Sequence, residues 1–190
     1  MSKGNKDIKG RRSFIKALMA TPAVLFTPNI ASSFNLFNTA GDIRKIHLQN
    51  SNTGERVNSI YWIEGEYVAE ALHEINYFMR DWRQNKIIKI HTANLDIISA
   101  TQALLDTEEP FELLSGYRTA KTNKMLSRVT AGVARNSFHI KGMAADLRMR
   151  TRTVNQIGKA AESCKSGGVG RYVSSSFVHI DCGPYRRWRK

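Results

Sequence analysis

The sequence predicts an α+β fold, a small antiparallel sheet with flanking helices. Short alternating apolar runs mark strands, and apolar residues recurring at three-to-four-residue steps mark helices. Both kinds of segment are spread along 190 residues without internal repeats or low-complexity tracts. Residues 43–63 read as a hairpin. Ile46-His47-Leu48-Gln49 alternates, Asn52-Thr53-Gly54-Glu55 carries turn chemistry, and extended character resumes from Val57 to Ile63. Val68, Leu72, Ile75, Met79 and Trp82 share one helical face, predicting a helix that ends near Trp82. Leu95, Ile98, Gln102 and Leu105 predict a second helix, with Thr92 or Asn94 as its N-cap, closed before Pro110. The apolar run from Phe111 to Tyr117 suits a buried strand, and Thr119 to Val129 reads as helix. Strands are expected at Ala144–Met149 and Phe177–Asp181, with a helix around Val154–Ser163 between them. Gly167-Gly168-Val169-Gly170 reads as a tight turn into Arg171-Tyr172-Val173. It precedes no helix and lacks a following Lys-Ser/Thr, so it does not suit a phosphate-binding loop.

Residues 1–33 have the layout of an export signal. A basic start ends in Arg11-Arg12, an apolar run spans Ala17 to Phe26, and Ala31-Ser32-Ser33 offers small residues for cleavage. The string Arg11-Arg12-Ser13-Phe14-Ile15-Lys16 resembles the twin-arginine export signal. The resemblance implies passage through the twin-arginine export machinery as a folded chain, and a destination in the periplasm or cell envelope. Residues 34–42 are expected to form a linker and residues 43–190 one domain. No apolar run reaches the ~20 residues of a spanning helix, so no stable membrane span is expected.

The net charge is +13. Removing the basic leader leaves about +8 on the domain, which favours anionic polymers without choosing among them. The domain's basic residues are scattered, apart from a tail cluster at Arg186, Arg187, Arg189 and Lys190. No arginine stripe interleaves with aromatics, and nucleic acid is not an expected partner. Cys164 and Cys182 fit no zinc or redox spacing. Whether they pair or stay as thiols is left open by the sequence.

Three strings carry candidate chemistry: Ser115-Gly116-Tyr117-Arg118-Thr119, the stretch from Ser137 to Asp146, and Ser176-Phe177-Val178-His179-Ile180-Asp181. Two imidazoles and a carboxylate are a common catalytic metal set with one position left for water. A loop can deliver His139 and an adjoining strand Asp146 to one point. On the strand from Phe177, residues His179 and Asp181 share a face, so one could bind metal while the other handles protons. Structural histidines and a capping aspartate are the alternative on spacing alone. His47, His73 and His91 lie outside any cluster.

The string Ser137-x-His139-x-x-Gly142-x-Ala144-x-Asp146 resembles the signature of the M15 metallopeptidases. Residues 115–188 are similar to the branch containing murein endopeptidase K, through Ser115 to Asn123, Gly132-Val133-Ala134, Gly167 to Gly170 and Phe177 to Pro184. The resemblance implies an M15 peptidase/Hedgehog-like zinc fold and Zn2+ held by His139, Asp146 and His179. It implies Arg118 beside the metal, on a substrate carboxylate or the developing oxyanion, and Ser137 as a substrate-binding residue. The substrate implied is peptidoglycan (murein) peptide stems, cut at their cross-links. Alternatives are a D,D- or L,D-carboxypeptidase acting on stems, or a non-catalytic zinc-containing wall-binding module. Many relatives place a general-base acid three residues before the last histidine. Here that position is Ser176, which leaves Asp181 as the candidate base. A swap, with Asp181 ligating and His179 handling protons, stays open.

Overall fold

The computed structural model describes residues 42–130 and 132–190. The expected export segment and nearly all of the expected linker lie outside the described residues. Eight strands and four α-helices are present among those residues. They are β1 (Ile43–Asn50), β2 (Arg56–Ile63), β3 (Glu66–Tyr67), α1 (Ala69–Phe78), α2 (Thr92–Leu104), β4 (Phe111–Ser115), α3 (Ala120–Val129), β5 (Ala144–Arg148), α4 (Val154–Ser163), β6 (Gly168–Tyr172), β7 (Phe177–Asp181) and β8 (Arg186–Arg189). All strands join one sheet in the order β3-β2-β1-β4-β5-β7-β6-β8. The mixed helix-and-strand class matches expectation, but the sheet is larger than the small antiparallel one predicted. It also contains two parallel pairs, β1 with β4 and β6 with β8. The parallel pairs arise because the chain crosses through α1 and α2 before β4, and because the tail returns beside β6.

Two boundaries differ from the periodicity for identifiable reasons. The first helix stops at Phe78, short of Trp82, because Asp81 closes a turn with Lys86. Its carboxylate accepts from the backbone N–H groups of Arg83 (3.1 Å) and Gln84 (3.3 Å). The second helix is N-capped at His91, without a side-chain cap bond, rather than at Thr92 or Asn94. The glycines at 168 and 170 are strand, not turn. A Cβ on Gly170 would stand 2.4 Å from the Trp188 ring, so glycine there lets β8 side chains lie against β6. The basic tail is itself a strand, with Gly170 opposite Trp188 and Gly168 opposite Arg186.

The core lies on one face of the sheet. Ile46 and Leu48 (β1), Phe111 and Leu113 (β4), Leu147 (β5), Val169 (β6), and Val178 and Ile180 (β7) pack there with Ile75, Ile97, Ile98 and Ile157 from α1, α2 and α4. Strand alternation therefore turns Asp146 and His179 to the other face. Near the β1–β2 end, the carboxylate of buried Asp96 accepts from Arg44 Nη1 (2.8 Å), Tyr61 Oη (2.9 Å) and Tyr67 Oη (3.0 Å). Removing one partner of such a pair strands the other charge in the core. Asp96→Ala is expected to lower stability by about 3–5 kcal/mol, measured by urea unfolding.

Candidate metal centre

Each group at the site is delivered by local backbone logic. In β4 the register shifts between Leu113 and Ser115, so one extra residue sits opposite β5 and Ser115 pairs with Asp146. Such bulges re-aim side chains. Asp146 pairs with His179 on β7, His179 with Gly170 on β6, and Gly170 with Trp188 on β8. One row across five strands therefore carries Ser115, Asp146, His179 and Trp188. His139 comes from outside the sheet, on a single 3-10 turn, Phe138–Lys141. Ser137 Oγ caps that turn by accepting from His139 N at 3.3 Å. Gly142 ends it in the left-handed region at φ 66°, turning the chain into β5.

The row and the turn meet at one point. His139 Nε2, Asp146 Oδ1 and His179 Nδ1 all lie within 4.8 Å of one another, and this is the one such cluster among the described residues. His179 Nδ1 stands 2.9 Å from Asp146 Oδ1, and His139 Nε2 stands 3.2 Å from it. The second nitrogen of each imidazole is engaged elsewhere. His139 Nδ1 donates to Gly116 O (2.7 Å), which leaves the Nε2 lone pair facing the cluster. His179 Nε2 faces Asp181 Oδ2 at 2.9 Å. Imidazoles fixed through the far nitrogen, beside an ionised carboxylate, are the donor set that a divalent metal takes, so the residues fit one.

The electrostatics agree. Burial alone would raise the Asp146 carboxyl, but His139 and His179 outweigh it and hold the group well below the usual carboxylate range. Arg118 Nη2 donates to Asp146 Oδ2, while Arg118 Nε donates to Ser115 Oγ at 2.6 Å. Burial depresses His139, which stays neutral. Burial would also depress His179, but hydrogen bonds and charge from Asp146 and Asp181 push it up to about 9.

The cluster floors a cleft of about 400 Å³ whose walls include Arg83, Arg118, Ser137, Phe138, Tyr172, Phe177, Arg186 and Trp188. Among the described residues, Asp146 is the one carboxylate lining it. Asp181 does not line the cleft. It is fully buried behind His179, where Oδ1 accepts from Gly183 N (2.8 Å) and both oxygens accept from Arg186 (2.6 and 3.0 Å). Ser176 is an exposed residue at φ 54° in the β6–β7 turn. Cys164 and Cys182 are both free thiols. Sequence reasoning missed Arg186 and Trp188. The alternation Arg186-Arg187-Trp188-Arg189 was the available signal, masked by its charge.

These features define a class: a mixed α/β protein whose three metal-type donors sit at the floor of an open cleft, the arrangement of a hydrolase. Comparison with known proteins narrows it. The M15 peptidase family model described as peptidoglycan L,D-endopeptidase MepK matches residues 38–188. The chain belongs to this family of peptidases. It is 42% identical over 145 residues to the peptidoglycan L,D-endopeptidase MepK of Escherichia coli K12, covering 76% of this chain and 80% of that protein. It is 37% identical over 147 residues to the probable peptidoglycan L,D-endopeptidase MepK of Haemophilus influenzae, covering 77% and 79%.

A protonated imidazole cannot ligate, so a metal taken up by this donor set would have to displace the His179 proton. Asp146 is already ionised and His139 already neutral, so neither adds to the count. Binding of a divalent metal at this donor set at pH 7 is expected to release about one proton, with affinity falling as pH drops below about 9. Calorimetry in buffers of different ionisation enthalpy checks this.

Proposed function

We propose that this chain is an exported, zinc-dependent endopeptidase that hydrolyses peptide cross-links of peptidoglycan. His139, Asp146 and His179 are its metal ligands. The observation that carries this reading is the convergence of three ligand-type atoms, each held from behind, at the floor of a cleft in an M15 chain. The names of the relatives support an L,D bond as the one cut. The Arg11-Arg12 leader supports delivery to the periplasm by the twin-arginine route.

A zinc ion held by His139, Asp146 and His179 would supply Lewis acidity toward a carbonyl and lower the pKa of water to about 7. The rest falls to side chains. Arg118, tethered to Ser115 and Asp146, puts fixed positive charge on the cleft wall where negative charge develops on the carbonyl oxygen. Asp181 acts through His179. Both its oxygens are occupied, and it holds the His179 ring so that Nδ1 faces the cluster. This role differs from the proton acceptor that sequence spacing suggested, and it leaves His179 as the ligand. Ser137 shapes the site by capping the turn that carries His139, and its side chain borders the space a stem peptide would occupy.

The test is digestion of purified murein sacculi by zinc-loaded protein, with the released muropeptides separated and identified. Cross-linked dimers should disappear. Trimming of stems with dimers intact would make the chain a carboxypeptidase. Bound zinc with no release at all would favour a non-catalytic, Hedgehog-like wall-binding module, a reading specific to a cleft where, among the described residues, Asp146 is the one lining carboxylate. His139→Ala is expected to abolish both zinc retention and cleavage. Asp181→Asn should weaken zinc about 10–100-fold while excess zinc restores most of the rate. A rate that stays abolished at saturating zinc would instead make Asp181 the proton acceptor.

A further inference from the structure

Three guanidiniums line the cleft, and two are already committed. Arg118 is tied to Ser115 and Asp146, and Arg186 to Asp181. Arg83 differs. Among the described residues, no protein group accepts a hydrogen bond from its side chain, and its Cζ lies over the Trp82 ring, 4.2 Å from the centroid. A cation–π contact of this kind restrains the guanidinium without using its N–H donors.

Its position is also fixed relative to Arg118. Asp81 is buried and bridges the two loops. Oδ1 accepts from Arg83 N (3.1 Å), and Oδ2 accepts from Thr119 N and Thr119 Oγ1 (both 2.8 Å). One carboxylate thus registers the Arg83 turn against the segment that carries Arg118. Partial burial lowers the Arg83 pKa, Asp81 opposes that, and the like charge of Arg118 adds to it. Two cations held on one wall, with Asp81 spent on the backbone and Thr119, are relieved by an incoming anion.

We propose that Arg83 is a specificity residue: its free guanidinium edge binds the substrate carboxylate adjoining the scissile amide, making acidic, carboxylate-bearing peptides the preferred class. This deepens the endopeptidase reading and rests on it. Arg83 binds without touching the reacting atoms, so its loss should appear in KM and not in kcat.

The experiment compares zinc-loaded wild type, Arg83→Gln and Arg83→Lys on cross-linked muropeptide dimers. Each is assayed with the adjoining carboxylate free and with it converted to a carboxamide. For wild type, amidation should raise KM about 10–100-fold with kcat within about twofold. Arg83→Gln should raise KM on the free-carboxylate dimer by a similar factor, and amidation should then add almost nothing. Arg83→Lys, which keeps charge but loses the fork, should fall between. An unchanged KM in Arg83→Gln, or the same amidation penalty in wild type and variant, overturns the proposal. If wild type cleaves no dimer at any zinc loading, the endopeptidase reading fails on its own. Calorimetric binding of the acidic stem peptide and its amide to wild type and Arg83→Gln then decides Arg83 by the same four-way comparison.

Discussion

The site is organised around one buried carboxylate. Asp146 is 7% exposed, and an ionised group at that depth is unfavourable unless cations and donors surround it. His179 and Arg118 do so from strand β7 and the loop after β4, and neutral His139 joins them from a 3-10 turn. Their convergence compensates the charge, and the same convergence makes the donor cluster. The electrostatics that keep Asp146 ionised therefore also prepare two imidazoles and a carboxylate for a metal. Without the ion, the His179 proton supplies part of the balancing charge.

The support beneath this cluster is as specific as the cluster itself. Each histidine is gripped at its far nitrogen by a group that is itself held. Gly116 O belongs to the segment where Tyr117 N donates to Met79 O at 2.8 Å. Asp181 is locked by Arg186 and by Gly183 N. Arg186 comes from β8, so the last strand of the sheet closes the back of the centre. The Trp188 ring, 5.4 Å from that of His179, walls one side. A tail that reads as surface charge is part of the site's construction.

Charge in the cleft is distributed by purpose. Of its guanidiniums, one braces Asp146 and one braces Asp181, both carboxylates internal to the protein. The third, Arg83, projects from a turn registered by Asp81, and among the described residues no carboxylate accepts a hydrogen bond from its side chain. A cleft with that balance favours acidic peptides over neutral ones. The net positive charge of the whole chain works in the same direction at long range, where it draws anionic polymers without selecting a bond.

Local periodicity alone determined much of this protein. The β1–β2 hairpin, α2, the helix after Thr119, α4 and strand β7 follow from alternation, helical spacing and cap chemistry, because those signals depend on near neighbours. His139, Asp146 and His179 were visible as residue types, and their motif was legible as a resemblance. Tertiary structure decided what near neighbours cannot encode. Pairing across the sheet set Asp146 opposite His179 and Gly170 opposite Trp188, turned the glycine stretch into strand, and built a parallel strand from the basic tail. Spacing put His179 and Asp181 on one face, but only the packing of Arg186 and Gly183 against Asp181 placed that carboxylate behind the imidazole and out of the cleft. Asp81, hidden in sequence between Arg80 and Trp82, gained its role only when Thr119 folded against it. These contacts join residues far apart in the chain. Their energies depend on burial and register, and neither exists until the sheet has formed.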